Sequence, residues 1–372
     1  MLNSLVAKLA HAYGKACAPF FLGFAEFIHS RMNEEGAERL FFFTREGNFF
    51  EAVYRTRYSD EAQKICVLPV SRLATFGPSL KDVGVDSLMR LWSQYSTQSV
   101  SAFILSLGLN PADFSEIVDK HYLNLVDAIV YPWQNPQFLA LLDDKVFQER
   151  VTERLASQRD LLKRLLLQNG WRDGMTVGVV DIGWRGTIQD NLAHIMQSSK
   201  IVGCYLGLYK FLNPQPVNAK KYGYVFDANQ GREINRFVEE LSLVEMLTNS
   251  PFGSVKGYRE NGGEISTENL IDELENLVFE RYTKYFQAGV LDALTNQKNT
   301  MTGSACVDSF ASPSPLALIA HSRLQHNEIF GLGSFINQGA FVPLKVAKGI
   351  FRKKHRTHFR KFVHSFVAPL IF

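Results

Sequence analysis

No Cys-x-x-Cys pair occurs among the four cysteines, Cys17, Cys66, Cys204 and Cys306. Neither a disulfide framework nor a thiolate zinc site is therefore expected. Cys66 and Cys204 lie inside apolar, strand-like runs and read as buried free thiols, which fits a reducing compartment. His-Glu-x-x-His, Gly-x-Ser-x-Gly, the Walker A loop and Gly-x-Gly-x-x-Gly are all missing. Their absence excludes the commonest zinc hydrolase, serine hydrolase, P-loop and dinucleotide-binding readings. No Asp-x-Asp phosphatase nucleophile pattern was found. No run reaches about 18 uninterrupted apolar residues, so no membrane-crossing helix is expected. Lys8 interrupts the first apolar stretch, and no small-residue cleavage site follows it, so no signal peptide is expected. A cytoplasmic protein is the resulting expectation.

Acidic residues are missing from one long segment. Lys345–Phe372 carries eight basic residues (Lys345, Lys348, Arg352, Lys353, Lys354, Arg356, Arg360 and Lys361) and no Asp or Glu. The whole chain has a formal charge of +3, so taking away these eight positive charges leaves the body at −5. Basic character is a C-terminal feature of a mildly acidic protein. What remains is ample for a core: 46% of the 372 residues are hydrophobic and 12% are aromatic.

Helical spacing of Phe20, Phe21, Phe24, Phe27 and Ile28 predicts a helix over residues 2–33. Arg39–Thr44 then reads as a buried strand, Arg45–Asn48 as a loop, and Phe49–Arg57 as a helix. Ile65–Val70 reads as a second strand, weakened by Pro69, which removes a ladder donor. Helices are expected over 87–107 and 138–168, with an aromatic turn at Tyr131–Trp133. Met175–Val180 reads as a third strand. Asp181–Thr187 leaves it, Ile188–Gln197 reads as a helix, and Ile201–Leu208 as a fourth strand. Helices are also expected over 239–247 and 268–286, with loops rich in Pro and Asn after Leu208.

These elements predict an α/β fold: a mostly parallel sheet of β-α-β units, a large helical insertion and a helical C-terminal part. The expected division places the first half of the core at 1–80 and the insertion at 81–170. The second half of the core follows at 171–260, a helical and loop extension at 261–344, and a basic amphipathic tail at 345–372.

Ligands of open α/β sheets gather outside the carboxyl ends of strands. Both strand-to-helix loops sit there. In Asp181–Thr187, Gly183 and Gly186 permit backbone geometries closed to other residues. The helix that starts near Thr187 presents free N–H groups to an anion. Arg185 offers a planar fork to phosphate oxygens. Thr187 could cap the helix or bind phosphate, and Asp181 could hold a sugar hydroxyl, a metal ion or a proton. Arg45, Glu46 and Gly47 repeat that logic after the first strand, and Arg72 occupies the equivalent end of the second. Three arginines, Arg45, Arg72 and Arg185, are thus expected to converge on a donor carrying several phosphates. The competing expectation for each loop is a tight turn with solvated charges.

Four motifs occur in a fixed order: Phe41–Asn48, Pro69–Arg72, Val180–Gln189, and Glu245 through Pro251–Tyr258. Together they resemble the glycan phosphoribosyltransferase domain of bacterial dual-domain ribofuranosyltransferases. That domain is often fused to a phosphatase of the haloacid dehalogenase type. The resemblance spans roughly Phe20 to Tyr258. It implies phosphoribosyl pyrophosphate as donor and transfer of 5-phosphoribofuranose to a bacterial surface polysaccharide such as an O-antigen or capsule. Pyrophosphate would be released, and a separate phosphatase would act on the product. The chemistry of such a transfer points to Asp181 first and Glu46 second as catalytic carboxylates, with Arg45, Gly47, Arg72, Gly183, Arg185, Gly186 and Thr187 around the donor phosphates. Trp184 and Glu245 fall to the acceptor side, and Mg2+ to Asp181. Ile182 follows Asp181 where ordinary phosphoribosyltransferase loops have a second acidic residue, which separates this chain from their metal and ribose pattern.

Alternating basic and apolar groups in the tail suit an anionic membrane surface, where a lipid-linked glycan acceptor would be found. Nucleic acid is not an expected partner of an acidic body. Two other readings share these residues: a glycosyltransferase with a different phosphorylated or nucleotide-linked sugar donor, and a non-catalytic membrane-surface scaffold in glycan assembly.

Overall fold

The computed structural model describes residues 2–232, 241–296, 301–311 and 313–324. The basic tail at 345–372 lies outside them. The chain opens with helix α1 (Leu2–Glu35). β1 (Arg39–Phe43), α2 (Gly47–Arg57) and β2 (Ile65–Leu68) form the first β-α-β unit, and α3 (Arg72–Ser79) follows. Between the two units lie α4 (Val85–Trp92), α5 (Val100–Ser106), α6 (Ser115–Lys120), α7 (Pro136–Asp143) and α8 (Lys145–Gln168). A short antiparallel ribbon joins β3 (Thr97–Ser99) and β4 (Ala128–Val130). The second unit is β5 (Thr176–Asp181), α9 (Thr187–Ile195) and β6 (Lys200–Leu208). After it come β7 (Ala219–Asp227), α10 (Leu241–Thr248), the hairpin β8 (Ser254–Asn261) and β9 (Glu264–Leu270), α11 (Glu273–Val278) and α12 (Lys284–Asn296).

Five strands make one all-parallel sheet in the order β2-β1-β5-β6-β7. The fold is therefore α/β, as the two crossovers imply. Both faces of such a sheet must be covered, so its strands are apolar throughout. Leu40, Phe42, Val180, Val202 and Cys204 meet α1, α2 and α12 through Phe20, Phe21, Phe24, Phe49, Phe50 and Phe286. On the other face, Phe41, Phe43, Val177, Val179 and Ile201 meet Leu162, Leu165 and Leu166 of α8 and Ile188 and Leu192 of α9. Crossovers of one hand leaving the middle of a sheet in opposite directions place their helices on opposite faces. That is why α2 and α9 lie on opposite sides.

The insertion builds its own core from Leu88, Trp92, Phe103, Phe138 and Phe147. Helix α8 joins the two regions: Val151 and Leu155 belong to the insertion core, and Leu162 to Leu166 belong to the sheet.

Several expectations are corrected. Residues 87–107 are two helices with β3 between them, because Ser99 caps α5 by accepting the Ala102 N–H. Asp144 likewise accepts the Val146 and Phe147 N–H groups and divides α7 from α8. The strand before Pro69 ends at Leu68, and it is an edge strand, where a proline costs no ladder bond. The stretch after Leu208 hides a fifth strand, β7, reached through the irregular segment 209–218. Residues 264–270, expected partly as helix, form β9 and pair with β8. The helix expected from 239 is described from Leu241 onward.

Candidate functional site

Strand order reverses between β1 and β5: β1 leads outward to β2, and β5 leads outward to β6 and β7. This switch point is where a crevice opens at the carboxyl ends of a parallel sheet. Phe42 is in register with Val180, so Thr44–Asn48 and Asp181–Thr187 leave adjacent strands at the same edge. The two loops expected to share a site are neighbours in space. Thr44 and the β2 exit are tied together as well: the Thr44 N–H donates to Leu68 O at 3.1 Å and its hydroxyl to Val70 O at 3.3 Å. The Thr44–Arg45 and Gly183–Trp184 peptides are both cis.

Gly186 is the N-cap of α9 in the left-handed region (φ 67°), with no side-chain cap, and a Cβ there would meet the Tyr205 hydroxyl at 2.8 Å. Thr187 is the first helical residue rather than the cap. Gly183 (φ 135°) lies so close to Gly207 O that a Cβ would sit 2.4 Å from it. Gly47 starts α2, whose N-cap, Glu46, also provides no capping bond. Most helices of the insertion and α3 are capped by side chains; the two that begin at the crevice are not. Uncapped first turns leave N–H groups and a positive dipole end facing outward.

The buried charges form one group. Asp181 and Glu46 are 6% and 7% exposed, and one Asp181 carboxylate oxygen accepts the Ile182 N–H at 2.8 Å. Burial, reinforced by Glu46, pushes the Asp181 carboxyl up to about 8, although the Ile182 N–H and Arg72 act the other way. Glu46 is also raised, by burial first and by Glu245, against the pull of Arg45. Glu245 keeps some accessible surface, but protein surrounds its carboxylate and burial raises it too. It accepts the Trp184 indole N–H at 2.8 Å, and Trp184 stacks on Phe226 with ring centroids 6.1 Å apart.

Arg45 pairs with Glu275 at 2.5 Å and with Glu46 at 3.8 Å. Burial would discharge it, but Glu275, Glu46 and Glu245 together hold it charged. Arg72 is more exposed and acts on both Asp181 and Glu245. Arg185 departs from the expected convergence. Its guanidinium lies 5.6 Å above the Tyr209 ring, its Nε has no partner, and its carbonyl accepts Lys221 Nζ. Arg45 and Arg72 act on the carboxylates, whereas the Arg185 guanidinium packs on Tyr209.

Three contributors escaped sequence reasoning. Glu275, Asn249 and Ser250 come from α11 and the turn after α10; Asn249 donates to Glu275 and Asn48 to Ser250. An isolated glutamate in a helical stretch has no local signature that could have revealed its partner 230 positions earlier. Among the described residues no three His, Cys, Asp or Glu side chains converge as a metal site. The described residues by themselves show no cage for the Mg2+ expected at Asp181.

Chemically, Asp181 can accept a proton once ionised, at about pH 8 and above; Glu46 and Glu245 can oppose a developing positive charge, and Arg72 and the start of α9 can receive an anion. No family model matches the chain, and no curated protein matches it.

Proposed function

We propose that the chain is a pentosyltransferase that moves 5-phosphoribofuranose from phosphoribosyl pyrophosphate to a hydroxyl of a bacterial surface glycan. The supporting observation is the buried Asp181 carboxyl at the switch point, beside Glu46 and Glu245 and facing Arg72. In this reading the donor's C1–oxygen bond breaks and its electron pair leaves with pyrophosphate. The ribose ring gains positive charge, which the carboxylates oppose. Arg72 and the first turn of α9 take up the charge of the leaving group, while Glu275 and Glu46 hold Arg45. Asp181 accepts the proton of the attacking hydroxyl, a role suited to a carboxyl titrating near 8. Glu245 fixes the Trp184 indole at the acceptor side.

Any Mg2+ would be held jointly by Asp181 and the donor's diphosphate oxygens, since Mg2+ in such sites takes few protein ligands. Peripheral attachment to the cytoplasmic membrane face through 345–372, and a separate phosphatase that clears the 5-phosphate, complete the proposal. Incubating candidate glycans with phosphoribosyl pyrophosphate and weighing the products tests it. A mass gain of one phosphoribosyl group is expected. No gain with any glycan, combined with no stabilisation of the chain by this donor, would end the reading in favour of another donor or a scaffold.

A further inference from the structure

A shallow cleft lies on the α9 side of the switch point, lined by Arg72, Arg90, Gln94, Thr187, Asp190 and Asn213 among others. Arg90 is the anomaly in it. Its guanidinium is largely buried, yet its partners are neutral: the Ser79 hydroxyl at 2.9 Å, the Asn191 amide oxygen, and the Phe76 ring at 5.6 Å. Burial lowers its pKa to about 10. The nearest carboxylate, Asp190, is already committed to the buried Lys221 at 2.7 Å. His194 cannot supply an anion, and burial together with Arg90 and Lys81 holds it down at about 4, hence neutral.

The direct partners of Arg90 are neutral and Asp190, which acts on it and lines the same cleft, is shared with Lys221; a largely buried cation so placed is costly unless a further counter-charge arrives. Arg72 adds a second positive group on the same wall, and Thr187 brings the uncapped start of α9. Three independent features of one cavity therefore ask for an anion. Gln94 and Asn213 add amides of the kind that bind hydroxyls.

We infer that this cleft is a subsite for a sugar phosphate, with Arg90 and Arg72 holding its phosphate monoester. Identifying that monoester with the donor's 5-phosphate rests on the proposed transfer reaction. Arg72 then spans the two parts of the site, acting on Asp181 and Glu245 while lining the cleft. The helical insertion contributes to substrate binding through Arg90 and Gln94 of the α4 region.

Isothermal titration of the full chain with ribose 5-phosphate, inorganic phosphate and inorganic diphosphate tests this. Ribose 5-phosphate is expected to bind at least tenfold more weakly to Arg90→Gln, with Arg90→Lys restoring most of the affinity. Diphosphate affinity should change less than twofold in both. Gln94→Glu, on the half-buried wall, should weaken ribose 5-phosphate similarly and serves if Arg90→Gln does not fold. Unchanged ribose 5-phosphate affinity in Arg90→Gln and Gln94→Glu would overturn the assignment. Inorganic phosphate binding as tightly as ribose 5-phosphate would overturn its sugar-phosphate part. A chain that binds ribose 5-phosphate but not diphosphate would keep the cleft and end the transfer reading; the converse would end the cleft alone.

Discussion

The two β-α-β units share one plan and deliver opposite charge. Each sends a strand into a loop and an uncapped helix at the same edge of the sheet. Because α2 and α9 lie on opposite faces, the loops meet different neighbours. On the α2 side, Arg45 and Glu46 face Glu275 and Glu245, so three glutamates outnumber one arginine. On the α9 side, Thr187 faces Arg72 and Arg90, and Asp190 is neutralised by Lys221. Asp181 ends β5 between the two and feels both, raised by Glu46 and lowered by Arg72. Loop sequence alone does not decide what a switch-point loop binds; the face to which its helix is assigned does.

The largest effect should come from the residue shared by both sides. Asp181→Asn is expected to lower phosphoribosyl transfer about 10³-fold while leaving the far-ultraviolet circular dichroism unchanged, as loss of a general base typically does. Transfer at the wild-type rate would remove Asp181 from the chemistry. In the wild type, kcat/KM should rise with pH, reach half its plateau near 8, where the Asp181 carboxyl ionises, and level off above it.

Stability should move the other way. The folded chain retains an Asp181 proton that the unfolded chain, with an ordinary value near 3.9, gives up. Between about pH 4 and pH 8 the native state binds more protons, so stability falls as pH rises through that window. Asp181→Asn escapes this loss and should be more stable than wild type at pH 8 by about 3 kcal/mol. The ceiling is about 5 kcal/mol, at roughly 1.4 kcal/mol per pH unit, and local relaxation around the ionised carboxylate in the wild type lowers it. At pH 4 the two chains should be equally stable in urea titrations; a difference that does not shrink toward pH 4 would contradict the buried-carboxyl account.

Smaller effects separate the two faces. Arg45→Gln leaves three acidic groups without their cation and should cost about 2 kcal/mol, less than a fully enclosed pair because the side chain keeps a quarter of its exposure. Adding Glu275→Gln should return part of that loss, and strict additivity in the double-mutant cycle would show that the pair is not coupled. Smallest of all, Ser71→Ala removes the hydroxyl that caps α3 and donates to Val255 O, at about 1 kcal/mol in thermal unfolding.

Much of the frame was legible because it is written in short-range patterns. Continuous apolar runs at 39–43 and 176–181, each followed by a glycine-containing loop and an amphipathic helix, mark buried parallel strands. β7 was missed because Lys220, Lys221 and Tyr224 interrupt its apolar pattern, and β9 because Glu264–Leu270 is polar and lies on a hairpin with one face exposed. Arg45, Glu46, Arg72 and Asp181 were found by their positions at strand ends. Glu275 and Arg90 were not, since each belongs to an ordinary helical stretch and acquires meaning only from a partner far along the chain.

By itself, then, the order of residues determined the α/β class, the two crossovers, and the strand-end loops from which chemistry would come. These follow from side-chain volume, periodicity and glycine placement, which act over a few residues. Tertiary structure alone decided which charges meet: that Arg185 turns toward Tyr209, that Glu245 and Glu275 close on Arg45, and that Arg90 has neutral direct partners while Asp190 pairs with Lys221. Burial and Coulomb interaction depend on distance through space, and distance along the chain does not encode them.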